Sequence, residues 1–425
     1  MLEQYFGMKT KHPEAILLSR VGDFYEAYGE DAETIARALQ IALTSKEAGA
    51  GQRVAMAGVP HHALAGYLAK LVKQRFVVAL AEQLEVPQPN RLVRRDVVRL
   101  VTPGTLIEDQ LLDGKTNNYL AAVALAGETF ALAYADVSTS YTAATALGGD
   151  NADDELLSEL ERIAPAEVVA DVPAAMQAFV AGAIEGLGAR SATLRLEVVE
   201  TRERPNLDGF SIEESQAIHR ALDALNAFVK RTGISNGERG LGAPELYRRQ
   251  EFLVLDPATR KHLELTRAQG ANPRATLLAT LDLCMTAMGS RMLTRWILAP
   301  LMRQDAIAQR QEIVGALLAE HSQRQSLREI LKGAFDLERI AQKVRFRRAA
   351  PRDLASLRRT LALLSPLRAA AVPALGPLLD EIGDFEALLG DLTQTLVDEP
   401  PAQIGDGGVI RPEADAELQE CAALR

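Results

Sequence analysis

Cysteine is nearly absent from these 425 residues: Cys284 and Cys421 are the only two, and neither has a ligand-type neighbour at metal-site spacing. That excludes a disulfide-stapled scaffold and suits a reducing cytosol. No run reaches the roughly 18–20 apolar residues of a membrane span. The N-terminus, MLEQYFGMKTKHPE, lacks the unbroken apolar stretch of a signal peptide. A soluble, cytoplasmic protein is expected, with no membrane partner. The chain also lacks any G-x-x-x-x-G-K-[ST]. Gly114-Lys115-Thr116 has the tail of that loop, but Asp109 stands where its first glycine belongs, and no apolar strand leads into it. No phosphate cradle is expected there. The chain is therefore read as a non-enzyme with no catalytic residue, no metal and no cofactor of its own.

Positive charge is in deficit as well, 47 Lys+Arg against 57 Asp+Glu, which gives a net charge of −10. The deficit is uneven. Residues 1–115 balance 14 basic against 14 acidic side chains, and residues 116–230 carry 7 against 18; residues 239–370 reverse to 23 against 12, and 371–425 hold 2 against 12. A surface that grips phosphate everywhere is excluded, because such contacts need a basic excess and carry no information about the base pairs. The length allows two to four domains.

The stretch with the most chemistry is Gly22-Asp23-Phe24-Tyr25-Glu26. It follows the apolar Ala15-Ile16-Leu17-Leu18 and precedes a helical pattern that begins near Asp31, so it sits where a strand turns over. On an extended chain Phe24 and Glu26, two positions apart, point the same way. A ring and a carboxylate on one face can stack on a base and accept a hydrogen bond from its edge. The competing reading is that aromatic residues at a strand end belong to the core.

Three segments in order decide between the two: LLSRVGDFYEAYGEDA, then MAGVPHHAL at 56–64, then VRRDVVRLVTPGT at 93–105. Together they resemble the mismatch-recognition domain of the MutS family of DNA mismatch-repair proteins. The resemblance implies that Phe24 stacks on a mispaired base from the minor groove, that Glu26 hydrogen-bonds to it, and that the duplex is kinked. Further contacts with the DNA backbone would fall to Lys46, placed in a polar turn, and to Arg53, Arg94 and Arg95. Ser19 departs from the family, which usually has an apolar and often aromatic residue there.

From 15 to 105 the pattern reads as a small mixed α/β domain, with strands at Ile16–Val21, Val54–Val59, Phe76–Ala81 and Asp96–Val101 and helices at Asp31–Leu43 and His61–Arg75. His61-His62 invites a metal, but adjacent helical residues face different ways and no partner ligand is evident. Pro-Gln-Pro between Val86 and Asn90 marks an exposed loop. Strands at Tyr119–Leu125, Thr129–Asp136 and Tyr141–Ala146, followed by alternating helices and strands to Thr193–Val199, resemble the RNase H-like connector domain of the family. Asp136, at a strand end, keeps a metal-dependent nuclease open as an alternative. Asp153, Asp154 and Glu155 are explained as helix N-terminal charges. Ser211 and Glu214 have capping-box spacing at the head of a long helix, and Gly233–Gly242 reads as a hinge-like linker.

From 251 onward the chain is helical, with arginine-rich outer faces and Trp296 as a core anchor. LDPATRKHLELT, FDLERIAQKV and PRDLASLRRTLALL resemble the family's helical lever. Ile404 to Leu418 resembles the start of its clamp. The expected architecture is thus multidomain, α/β and then all-α: a mismatch-recognition domain (1–115), an RNase H-like connector (116–240), a helical core or lever (241–404) and the start of a clamp (405–425). The resemblance implies double-stranded DNA with mispairs or small loops as ligand and a MutL-type repair protein as partner. In the full-length family it implies a homodimer and a C-terminal ATPase using ATP and Mg. The present chain, read as an N-terminal part, is expected to be monomeric, bacterial and nucleoid-associated. A protein-interaction scaffold working through the acidic connector remains the other alternative.

Overall fold

The computed structural model describes residues 1–49, 52–85, 93–193, 205–234 and 240–424. Two compact units emerge, one of Met1–Asp113 with Asn117–Tyr247 and one of Gly114–Thr116 with Arg248–Arg425. The first is mixed α/β and holds two sheets; the second is helical. Among the described residues no helix is long and apolar enough to cross a membrane.

The chain starts with a helix absent from the sequence reading, α1 (Leu2–Lys11), whose buried residues are only Tyr5 and Met8. Then come β1 (Ile16–Val21), β2 (Phe24–Tyr28), α2 (Glu30–Leu39), β3 (Thr44–Gly49), β4 (Gln52–Pro60), α3 (Leu64–Lys73), β5 (Val78–Gln83) and β6 (Arg95–Val101). The sheet order is β3-β4-β2-β1-β5-β6. Gln40, left-handed at φ 56, ends α2 early, and the polar segment expected to be a turn is strand β3, which pairs Lys46 with Val54. One face of the sheet packs Leu18, Tyr25 and Ala27 against Ile35 and Leu39 of α2 and Leu68 and Leu71 of α3. The other packs Leu17, Tyr28 and Ala79 against Tyr5 and Met8 of α1. Asp31, buried in the first turn of α2, accepts hydrogen bonds from Leu17 N (2.9 Å), the Tyr5 hydroxyl (3.1 Å) and Lys9 Nζ (2.9 Å). That carboxylate is what fastens α1, since a buried charge stays only where donors surround it.

The second sheet runs β11-β10-β7-β8-β9-β12. Its strands are β7 (Tyr119–Ala126), β8 (Thr129–Asp136), β9 (Tyr141–Leu147), β10 (Glu167–Asp171), β11 (Arg190–Thr193) and β12 (Glu245–Leu246). The first three are an antiparallel meander, and β10, β11 and β12 add in parallel. Every residue of β8 is buried, so both faces are covered. The cover is α4 (Ala152–Ile163), α5 (Ala174–Leu187) and α6 (Ile212–Arg231), the last opened by the Ser211–Glu214 capping box. The expected loop at 86–90, most of the strand expected to 199, and 235–239 of the expected linker lie outside the described residues.

The two sheets are bolted together. Glu167, fully buried on β10, accepts from Gly104 N (3.0 Å) and the Thr102 hydroxyl and pairs with Arg190. Leu100 N donates to Thr232 O (2.8 Å), and Arg231 pairs with Glu14 (2.8 Å). Burial pushes the Glu167 carboxyl above its usual range in spite of those donors. At Gly104 an added Cβ would lie 2.9 Å from Glu167 Cβ and 3.0 Å from Leu120 Cδ1. Gly104→Ala is therefore expected to lower stability by about 1–3 kcal/mol, as overpacking does. A fall in urea midpoint with an unchanged slope is the check.

In the helical unit α7 (Pro257–His262), α8 (Leu277–Leu281), α9 (Ala287–Leu298), α10 (Gln304–Ala319), α11 (His321–Lys332), α12 (Leu337–Arg345) and α13 (Pro351–Leu361) are followed by α14 (Leu364–Ala370), α15 (Gly376–Asp380), α16 (Glu386–Thr395) and α17 (Ala416–Ala423). Not all of its arginines face outward, as the sequence suggested. Arg291, Arg339 and Arg358 are buried, and Arg358 donates to the carbonyls of Leu396 (2.9 Å), Val397 (3.2 Å) and Asp398 (3.1 Å). A guanidinium with five donors can close chain ends that apolar side chains cannot. Trp296 is not a core anchor: it is 44% exposed, with the Arg310 guanidinium 3.7 Å over its ring. A cation stacked on the indole face covers it in place of core packing.

Candidate nucleic-acid interface

Phe24 is the first residue of β2 and follows a two-residue turn in which Val21 pairs with Phe24. Gly22 takes φ +59 and Asp23 stays outside the left-handed region, the pattern of a type II′ hairpin turn, which calls for glycine first. The other neighbour of Phe24 is Pro60 on β4. The ring is 48% exposed, so the reading of Phe24 as a core residue is wrong; Tyr25, which faces the α2–α3 core, has that role. His61 stacks on Tyr25 with ring centroids 5.9 Å apart, and its backbone N–H donates to Asp23 O (2.8 Å), which fixes the far side of the turn.

Alternation along β2 puts Phe24, Glu26 and Tyr28 on one face, the face that α1 covers around Tyr28. Glu26 is half-buried between Ser19 and Gly58, its partners on β1 and β4. Its Oε2 accepts from the Tyr28 hydroxyl and from Lys46 Nζ (3.2 Å), and Lys46 Nζ also donates to the Tyr28 oxygen (2.9 Å). Burial, followed by the Glu26 carboxylate, pushes the Tyr28 hydroxyl far above the usual phenol range. Burial and then Glu82 do the same to Tyr25, whose hydroxyl donates to Glu82. A cleft of about 450 Å³ beside the turn is lined by Arg20, Gly22, Gln83 and Leu84 with Glu82 and Glu85, two carboxylates that make it a poor seat for phosphate.

The remaining basic candidates separate. The register puts Arg95 on the face of Glu26, but its guanidinium donates to Arg20 O (3.0 Å) and Val93 O (3.2 Å). Arg53 lies on the opposite face and donates to Ser45 Oγ (2.7 Å) and Ser45 O (3.2 Å). Arg94 is exposed just before β6. Sequence reasoning put the ring and the acid on one face, as the structure does, and did not single out Tyr28, whose hydroxyl donates to the acid. Its position two residues after Glu26 was the available signal.

The nuclease alternative rests on Asp136, which is fully buried. Its Oδ1 accepts from Ser138 N (3.0 Å) and Ser138 Oγ (2.6 Å), and its Oδ2 from Asn117 Nδ2 (3.3 Å) and Asn118 N (3.1 Å). All four lone-pair directions of the carboxylate are taken, which leaves none for a cation. Among the described residues no cluster of His, Cys, Asp and Glu has the arrangement of a metal site. In Gly114-Lys115-Thr116, Lys115 pairs with Asp282 (2.9 Å) and Gly114 O accepts from Arg291 (2.8 Å).

Two family models match the chain, MutS domain I over residues 1–110 and MutS domain III over residues 258–425. The DNA mismatch repair protein MutS of Thermosynechococcus vestitus is 37% identical over 448 residues, covering 99% of this chain and 51% of that protein. The protein of the same name from Symbiobacterium thermophilum is 36% identical over 437 residues, covering 99% and 50%. The chain spans about half the length of the curated relatives it matches.

Proposed function

We propose that this chain, which belongs to the MutS family, reads mispaired or looped double-stranded DNA by inserting the Phe24 ring at the faulty step while Glu26 accepts a hydrogen bond from the displaced base. One observation carries this reading. The large aromatic ring at the head of β2 stands exposed beside a carboxylate on the same sheet face, at a turn stiffened by Gly22 and the His61 contact. A wedge between base pairs costs a few kcal/mol per step for unstacking. Stacking of a base on an aromatic side chain returns about 1–3 kcal/mol. The two nearly cancel on matched DNA, and a mispaired step, already weakly stacked and easily bent, tips the sum toward binding. The anionic Glu26 adds a penalty wherever no base donor meets it.

In this reading the second sheet is the RNase H-like connector, supported by its meander followed by parallel additions. The helical unit is the lever, and residues 405–425 open the clamp. The acidic stretch 116–230 offers a surface for a MutL-type partner. ATP, Mg and a homodimer are proposals for the whole protein, since this chain spans about half the length of the relatives it matches. The test is equilibrium binding at fixed salt to a duplex with one G·T mispair and to its matched twin. A preference for the mispair is expected, and equal affinity at every accessible concentration would sink the reading.

A further inference from the structure

We propose that Tyr28 and Lys46 are positioning residues that hold Glu26 by one oxygen, Oε2, and so present the other, Oε1, as the acceptor for an N–H of the displaced base. The proposal rests on the reading of Phe24 and Glu26 given above. Tyr28 follows Glu26 by two residues on the same face of β2, and its ring is 1% exposed, packed edge-on against Tyr5 at 4.9 Å. Its hydroxyl is therefore placed by the core, and that placement is passed to the carboxylate through the hydrogen bond to Oε2. Burial and then the carboxylate raise this phenol above its usual range, which favours the protonated, donating form.

Lys46 completes the clamp. Its Nζ reaches Glu26 Oε2 at 3.2 Å and the Tyr28 oxygen at 2.9 Å, and it lies 5.3 Å from the centroid of the Tyr28 ring. Two donors thus converge on Oε2, while none of the described hydrogen bonds goes to Oε1. With both donors on Oε2, Oε1 is the oxygen left to accept from a base. Gly58 sits beside it on β4, where a Cβ would come within 3.3 Å of Tyr25 O and 3.6 Å of Glu26 Cγ. Lys46 thereby acts on Glu26, and not as the grip on the DNA backbone that its position first suggested.

The two roles leave different traces. Loss of a phosphate contact weakens all duplexes about equally and lowers the slope of log K against log salt by about one. Loss of a positioning contact changes the ratio of G·T to matched binding and leaves that slope alone. Tyr28→Phe, which keeps the ring in its core, is expected to lower the ratio about three- to tenfold, the scale of the net contribution of one ordinary hydrogen bond. In a Glu26→Gln background it should add nothing further. Lys46→Met should lower the ratio at unchanged salt slope, with Lys46→Arg restoring most of it. A uniform loss with a shallower slope in Lys46→Met, or an unchanged ratio in Tyr28→Phe, would overturn the proposal. Phe24→Ala run alongside separates the levels: if wild type has a ratio above one and Phe24→Ala abolishes it while Tyr28→Phe does not, the wedge stands and only the positioning role falls. No ratio in the wild type removes both.

Discussion

Phe24→Ala is expected to remove most of the preference for a G·T duplex over its matched twin, about tenfold or more, with little change in affinity for the matched one. The magnitude follows from the stacking lost, about 1–3 kcal/mol per base on an aromatic platform, where 1.4 kcal/mol is a factor of ten. Stability should hardly move, because the ring is 48% exposed and its removal opens no cavity. Surface changes of this kind stay within about 0.5 kcal/mol. The separation of the two readouts carries the meaning. A drop in melting temperature alongside the lost preference would say that the ring supports the hairpin and does not contact DNA itself. Equilibrium titrations and a thermal melt of the same samples decide it.

The largest stability effect is expected at the other end of the chain. Arg291, fully buried on α9, donates from Nη1 to Asp336 Oδ2 (2.7 Å) and Gly114 O (2.8 Å), and from Nη2 to Asp336 Oδ1 (2.8 Å) and Glu338 Oε2 (2.5 Å). Burial works against the cation, but Asp336 and Glu338 more than compensate and raise the guanidinium above its usual range. Asp336 is also the N-cap of α12, accepting from Arg339 N at 3.3 Å. Arg291→Met removes the cation that Asp336, Glu338 and Gly114 O share and leaves Asp336 with the more distant Arg339 Nε, at 3.8 Å. Breaking a buried pair in this way costs about 3–5 kcal/mol. Asp336 and Glu338 keep some exposure, 20% and 36% of their side chains, and partial rehydration favours the lower end of that range. Trp296, the only tryptophan in the sequence, lies on the same helix, so its fluorescence follows the unfolding of the helical unit alone. Its denaturant midpoint should fall sharply in Arg291→Met. An unchanged midpoint would mean that the network contributes nothing net.

How far the sequence carries depends on how local each feature is. The pair Phe24 and Glu26 was legible because a turn glycine, an aromatic and an acid lie within five residues, and strand alternation alone aligns them. The core face of α3 was legible from the spacing of Leu64, Leu68, Leu71 and Val72. The strand that carries Lys46 was read as a turn: its segment, Thr44–Gly49, opens with four polar residues and gives no alternation, and only pairing with β4 makes it a strand and brings residue 46 to residue 26. Helix α1 was missed for the same kind of reason, since what secures it is Asp31, a residue twenty positions beyond its end. The buried arginines were read as surface because charge pattern cannot show which guanidiniums will find carbonyl groups from far along the chain. Arg358 and residues 396–398 form such a set.

The measurement that bears most directly on the wedge is the fluorescence of 2-aminopurine placed beside a G·T mispair, titrated with this chain to saturation. If the Phe24 ring enters the stack, the probe base loses its neighbour and its emission rises on binding, and Phe24→Ala at matched saturation leaves it quenched. Saturated binding without a rise, or an equal rise with Phe24→Ala, would mean that the exposed ring at the head of β2 does not open the duplex.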